Sequence, residues 1–197
     1  MRKFLGAVGL ILCLGQIAAA QDTPEWQIYG GGSFGHVDVS PPFAISTLNK
    51  VSSWGYNLGV EQYVNGWIGG VAEAGDYYRK PTVDLASVGF PGVKEQVRTH
   101  NFFILFGPQV RHDFGKFTPF ARATVGYSRA IFKDQAGFIN SDQNSVATGL
   151  GGGIDVRVRQ HIAIRVIEAD YVLTHFRSDR QDNWKVSAGV VFSWGHK

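Results

Sequence analysis

A chain of 197 residues carrying 25 glycines, 13% aromatic residues, only 18% charged residues, a formal charge of +3 and one cysteine excludes several classes at once. There is no disulfide framework or cysteine-rich zinc site, too much aromatic residue for a disordered chain, and too weak and dispersed a charge for a nucleic-acid binder. No apolar run of ~18–20 residues follows the N-terminal segment, so a multi-span helical membrane protein is excluded as well, leaving one domain rich in glycine and aromatics.

Residues 1–20 carry the marks of a cleaved secretory signal peptide. Arg2 and Lys3 supply the positive start, 4–17 the apolar stretch, and Ala18, Ala19 and Ala20 the small residues before the expected cut. Cys13 lies inside the apolar stretch after a bulky Leu12, which does not suit a lipid-attachment cysteine. Removing Arg2 and Lys3 from the 19 basic residues leaves 17 against 16 acidic ones, so the expected mature domain, 21–197, is nearly neutral and free of cysteine.

That domain reads as eight strands, an all-β antiparallel pattern. The first, 26–37, sets Trp26, Ile28 and Phe34 on one face. In the second, 54–62, Trp54, Tyr56, Leu58 and Val60 alternate with Gly55, Asn57, Gly59 and Glu61, the period-two mark of a strand with one apolar face. Asn65-Gly66 is a strong hairpin signal, and the chain returns over 67–78 with Glu73 opposite in parity to Ala72 and Ala74. The fourth and fifth strands, 98–111 and 117–129, are joined at 112–116; in the fifth, Arg122 opposes Ala121, Ala123 and Val125. The sixth, 146–158, sets Leu150, Ile154 and Val156 against Asp155, Arg157 and a run of glycines. The eighth, 184–194, places Trp184, Val186, Val190, Phe192 and Trp194 on one side and Lys185 and Ser187 on the other.

The seventh strand, 162–173, breaks the rule. Arg165 stands on the opposite parity from Glu168 and Asp170, and one extra residue near Val166-Ile167 would return all three to the polar face. A β-bulge is therefore predicted there.

Connections after the second, fourth and sixth strands are short. Those after the first, third, fifth and seventh, at 38–53, 79–97, 130–145 and 174–183, are long and rich in Pro, Ser, Asp and Asn. An even strand number, short turns at one end, long loops at the other and alternating apolarity describe an eight-stranded up-and-down transmembrane β-barrel with both termini on the short-turn, periplasmic side. Strands of ~9–11 residues suffice to span its apolar band. A lipocalin-type soluble barrel would reverse the faces, leaving glycine and charge outside and no reason for aromatics at both strand ends; a β-sandwich fits less well. Trp26, Tyr63, Trp67, Phe117 and Trp194 fall at one end and Phe34, Trp54, Tyr78 and Trp184 at the other, as two membrane girdles would.

Phe106-Gly107-Pro108-Gln109, Thr118-Pro119-Phe120-Ala121, 151–156 (GGGIDV), 164–171 (IRVIEADY) and 187–192 (SAGVVF) resemble the small outer-membrane β-barrel family, the porin-family or OmpA-like transmembrane domains of Gram-negative-type bacteria. The resemblance spans essentially the whole mature chain. It implies insertion by the outer-membrane assembly machinery and a surround of outer-membrane lipid and lipopolysaccharide. Family members often end on an aromatic assembly signal; here Gly195-His196-Lys197 follow, so Phe192 or Trp194 would carry it. The periplasmic peptidoglycan-binding domain of full OmpA-type proteins has no counterpart in this sequence, and a cell-wall tether is not expected.

The polar parity holds Glu61, Glu73, Asp155, Glu168 and Asp170 with Arg111, Arg122, Arg157, Arg165 and Lys185. An eight-stranded lumen is just wide enough to be filled by side chains, where unpaired charge is costly. A salt-bridged plug centred on Glu61, Glu73, Arg122, Asp155, Arg165, Glu168 and Asp170 is expected, with a narrow gated pore for ions or small solutes as the alternative.

A lipid-modifying enzyme is the remaining class. His175 with Ser178 and Asp179, or His36 with Asp76 and Ser33, has the residue types but no recognisable motif, so no catalytic residue is assigned. The six histidines lack ligand spacing, and no metal or cofactor is expected. Recognition of an extracellular ligand falls to the four long loops; in 79–97 the apolar Leu85, Val88, Phe90 and Val93 suit packing over the barrel mouth.

Overall fold

The computed structural model describes residues 25–37, 51–79, 82–84, 94–134, 140–176 and 179–195. The expected signal peptide lies outside them. Among these residues nine strands occur in chain order: β1 (Glu25–Val37), β2 (Val51–Tyr63), β3 (Ile68–Arg79), the three-residue β4 (Thr82–Asp84), β5 (Lys94–Arg111), β6 (Phe117–Asp134), β7 (Asn140–Arg159), β8 (Ile162–Phe176) and β9 (Asp179–Trp194). Eight of them form the wall: the order β3-β2-β1-β9-β8-β7-β6-β5 is closed by pairing of β3 with β5, and every ladder is antiparallel. Each wall strand therefore pairs with its neighbours in sequence, and the last meets the first through Trp26 opposite Trp194. The fold is a closed eight-stranded up-and-down β-barrel.

The faces are as the alternation requires. Ile28, Leu58, Val60, Ile104, Leu150, Val190 and Phe192 are exposed on the outside, while Gln27, Asn57, Glu61, Glu73, Arg122 and Lys185 are buried inside. Water would penalise such an exterior and hydrocarbon would not, so the phase of the pattern excludes the lipocalin-type barrel. Trp54, Trp67 and Trp184 project outward at the strand ends, and Trp26 and Trp194 pair at the short-turn end. Aromatic pairs stiffen the rims: Phe34 meets Trp54 edge-on at 5.0 Å, and Tyr171 lies 5.0 Å from Trp184. Tyr63 is a correction. It is buried in the lumen rather than set in the girdle, because its odd parity in β2 is that of Glu61.

The bulge in β8 is present. Asp155 pairs with Arg165 and Ile154 with Ile167, and on the other side Arg165 opposes Gly189 and Glu168 opposes Ser187. Val166 and Ile167 both point outward, so Arg165, Glu168 and Asp170 all reach the lumen.

Strand lengths depart from expectation. β5, β6 and β7 have 18, 18 and 20 residues, and strand structure takes in much of the expected loops 130–145 and 174–183. Only 135–139 separate β6 from β7, and only 177–178 separate β8 from β9. Within the expected loop 79–97, β4 folds back on Lys94–Gln96; residues 85–93, with their apolar side chains, lie outside the described set, as does 38–50. The physical reason is visible at Arg129 and Asp142, which form an exposed ion pair on the outer face of β6 and β7. Beyond the apolar band both faces of a strand meet polar surroundings, so the ladder continues while its hydrophobic alternation stops.

The short turns use conventional chemistry. Gly66 has φ +75° after Asn65, whose Oδ1 accepts from the Ile68 amide at 2.9 Å, and Gly115 has φ +65° between β5 and β6. Within the wall, Gly59 serves by size: a Cβ there would lie 2.1 Å from the ring of Tyr29, which crosses the lumen. Gly59→Leu is expected to destabilise the barrel by about 1–3 kcal/mol through overpacking, measured by urea unfolding of the reconstituted protein.

Candidate functional site

Six of the wall strands deliver charge to one level of the lumen. Glu61 comes from β2, Glu73 from β3, Arg122 from β6, Asp155 from β7, Arg165, Glu168 and Asp170 from β8, and Lys185 from β9. All are buried, Glu61 and Glu168 completely.

Two arginines organise the cluster. Arg165 donates through Nε to Asp155 at 2.8 Å, through Nη1 to Glu168 at 2.7 Å and through Nη2 to Glu61 at 2.8 Å, so one planar fork serves three carboxylates. Its guanidinium lies 4.2 Å from the ring centroids of both Tyr29 and Phe120. Arg122 donates through Nε to Asp170 at 3.0 Å and through Nη2 to Glu168 and Asp170 at 2.7 Å each; Nη2 also lies 2.6 Å from Glu73. Lys185 bonds Glu73 and reaches Asp170 at 3.0 Å and Glu168 at 3.4 Å. Glu168 is thus shared by all three cations, and its position depends on the bulge in β8.

Neutral donors complete the network. The Tyr29 hydroxyl donates to Glu73 and accepts from Arg122 Nη1 at 3.1 Å. The Tyr63 hydroxyl donates to Glu61 at 2.8 Å, and Gln109 Nε2 donates to Glu61 at 2.7 Å. Asn57 Nδ2 and Ser187 Oγ donate to Glu168 at 3.2 and 2.9 Å. Burial of this many ionised groups is tolerable only because every carboxylate oxygen accepts at least one hydrogen bond.

Every one of the seven charged residues expected in the plug is in this cluster. Lys185 joins them, as its parity in the eighth strand allows. Tyr29, Asn57, Gln109 and Ser187 were missed because neutral polar side chains on a lumen face carry no distinctive pattern; parity alone was their signal. Arg111 and Arg157 stand apart near the short-turn mouth: Arg111 bonds Glu25 and lies 3.7 Å over the Tyr63 ring, and Arg157 is 3.5 Å from Asp113 and partly exposed. A pocket of about 30 Å³ at this mouth is lined by Arg111, Asp155 and Arg157 among others and holds no more than a water or two. On the other side of the network, Tyr77 stacks on Phe103 at 5.8 Å and packs with Leu105 and Ala147, an apolar layer above the charges.

Oxygens of Glu73, Glu168 and Asp170 converge to within 4.8 Å of one another, the spacing of a metal-ligand set. They converge on Arg122 Nη2 and Lys185 Nζ, which already occupy the centre. The enzyme-like sets do not assemble among the described residues. Ser33 is turned into the lumen, 2.6 Å from the Tyr77 hydroxyl, whereas Asp76 has the opposite parity in β3. Ser178 and the side chains of His36, His175 and Asp179 lie outside the described set.

A closed barrel that buries charge and exposes apolar side chains is a membrane-embedded β-barrel. Residues 6–192 match the family described as the outer membrane protein beta-barrel domain, and the chain belongs to that family. Among solved structures it is similar to Neisserial surface protein A (TM-score 0.61, 12% identity, covering 85% of this chain and 96% of that one). Two others are Ail, the attachment invasion locus protein of Yersinia pestis, solved with the heparin analogue sucrose octasulfate (0.55, 16%, 86% and 99%), and the outer membrane protein OprG of Pseudomonas aeruginosa (0.54, 13%, 89% and 98%). At these identities the likeness is one of fold. No curated protein matches the chain in sequence.

Proposed function

We propose that this is a non-catalytic, non-conducting integral protein of the bacterial outer membrane, whose lumen is closed by salt bridges and whose task is structural or surface-interactive. The observation that supports it is the sharing of Arg122, Arg165 and Lys185 among five carboxylates from four strands, with an apolar layer above. Opening a path would break several buried ion pairs at once, each costly to separate.

On this reading residues 1–20 direct export and are removed, the short turns face the periplasm, and the long-strand end faces outward. Phe192 and Trp194, adjacent on the outer face at 6.2 Å, serve as the recognition signal for the assembly machinery. Trp26, Trp54, Trp67 and Trp184 sit at the lipid and lipopolysaccharide interfaces. Any extracellular ligand is met by the loops between β1 and β2, β3 and β5, β6 and β7, and β8 and β9, because recognition concentrates on loops held by a rigid scaffold.

Planar-bilayer recording on the reconstituted full chain tests the closed lumen. The expected result is a quiet membrane, with protein insertion verified by a heat-modifiable gel shift. Steady unitary openings from inserted protein would establish the pore instead.

A further inference from the structure

The short-turn end carries positive charge that the fold does not use. Four side chains there cancel in pairs: Arg111 bonds Glu25, and Arg157 lies 3.5 Å from Asp113, which also accepts from Thr118 Oγ1 at 2.7 Å. Asp155, the other carboxylate lining this mouth, is buried on Arg165. Lys116 and Arg159 remain, both exposed, and neither forms an ion pair among the described residues. The exposed imidazoles of His112 and His161 flank them.

The backbone brings the two cations to one stretch of the rim. The Arg157 amide donates to the Lys116 carbonyl at 2.8 Å, which ties the 112–116 turn to the end of β7, and Arg159 closes that strand two residues further on. The Ser193 amide donates to the His161 carbonyl at 2.9 Å and holds the β7–β8 turn against β9.

A second, independent observation falls on the same rim. Phe114, Phe117 and Val158 are exposed, Phe114 by 63% although it lies in the turn itself, beyond the end of β5. They interleave with the cations in sequence, as Phe114-Gly115-Lys116-Phe117 and Val158-Arg159. Below them the exposed Ile154, Ile164 and Phe192 continue the rim into the apolar outer wall. A soluble anion would satisfy the charges and leave the apolar groups in water. A phospholipid satisfies both, because long basic side chains lay their stems on apolar surface and hold their heads at the polar interface.

We propose that the rim formed by the 112–116 turn and the β7–β8 turn binds an anionic phospholipid. Its phosphate meets Lys116 and Arg159, and its acyl chains run along Phe117, Val158 and the wall beneath. This rests on the orientation proposed above, in which the short turns face the periplasm and so lie in the inner leaflet. Each Lys or Arg beside an anionic headgroup favours it about fivefold, and screening of exposed charge reduces the combined effect.

The test is native mass spectrometry of the full chain, folded in detergent and titrated with phosphatidylglycerol or with zwitterionic phosphatidylethanolamine of the same acyl composition. The expected result is a first bound phosphatidylglycerol at least about fivefold tighter than phosphatidylethanolamine. That preference should fall close to one in the double variant Lys116→Gln/Arg159→Gln, with folding verified by the heat-modifiable gel shift. It should persist in Arg98→Gln, at an exposed cation near the far end of β5. If the double variant does not fold, the two single variants are read instead, each with a reduced preference. Equal affinities for the two lipids in the parent would overturn the proposal. So would a preference that survives the rim substitutions, or one lost alike in Arg98→Gln. Orientation and conduction do not enter this measurement, so its failure leaves the closed-lumen reading standing.

Discussion

Replacing Arg165 with methionine should destabilise the barrel by about 3–5 kcal/mol, the usual cost of removing one partner from a buried ion pair. The substitution keeps much of the apolar stem between Tyr29 and Phe120 but leaves Asp155 with neither of its Arg165 hydrogen bonds and Glu61 and Glu168 with fewer. Urea titration of the reconstituted protein, read by the gel shift between folded and unfolded forms, measures the loss. Adding Glu61→Gln and Asp155→Asn should recover a substantial part of it, because the penalty lies in stranded charge rather than in lost attraction. An Arg165→Met protein as stable as the parent would mean that the network does not hold the strands.

The second large effect lies on the opposite face. Leu150 is 66% exposed on β7, and in a soluble protein an exposed leucine changed to arginine is worth within about ±0.5 kcal/mol. On a lipid-facing wall near mid-membrane the same change costs about 2–4 kcal/mol. Leu150→Arg is therefore expected to depress the folded fraction strongly in lipid, and Ser52→Arg, an exposed position on the outward face of β2 beyond the girdle residue Trp54, hardly at all. Equal, small effects at both positions would contradict a hydrocarbon surround.

Much of this was legible from the chain because a barrel wall obeys one rule throughout. Period-two alternation located the eight wall strands, and the conflict of parity between Arg165 and Glu168 located the bulge at Val166-Ile167. The same parity delivered Glu61, Glu73, Arg122 and Asp155 to the lumen without any three-dimensional information. Legibility ended where the rule ends. The outer extensions of β7 and β9, 140–145 and 179–183, carry polar residues on both faces and read as loop, although their backbones continue the ladder. Tyr63 shows a different limit: an aromatic at a strand end suits a girdle or a lumen equally by type, and only its parity with Glu61 assigns it inward. Nor does parity reveal which charges touch. That Glu168 is shared by three cations while Glu61 meets one nitrogen of Arg165 depends on closure of β3 onto β5 and on rotamers within a crowded lumen.

Glycine and aromatic abundance find a common cause in this architecture. A narrow lumen must place Tyr29, Phe103, Phe120 and long charged side chains across from something without bulk. Gly59 beneath Tyr29, Gly75 beneath Phe103 and Gly151 beneath Asp170 supply it. The exterior needs aromatics where hydrocarbon gives way to headgroups.

The central claim is a barrel with charge inside and hydrocarbon outside, and β9 tests it most directly. Single cysteines introduced at successive positions from 184 to 192 in a Cys13-free chain, spin-labelled and reconstituted in lipid, report collision with oxygen, which partitions into hydrocarbon. The account predicts period two, with high oxygen accessibility at Trp184, Val186, Ala188, Val190 and Phe192 and low accessibility at Lys185, Ser187, Gly189 and Val191. The same period with inverted phase, or no period at all, would contradict it.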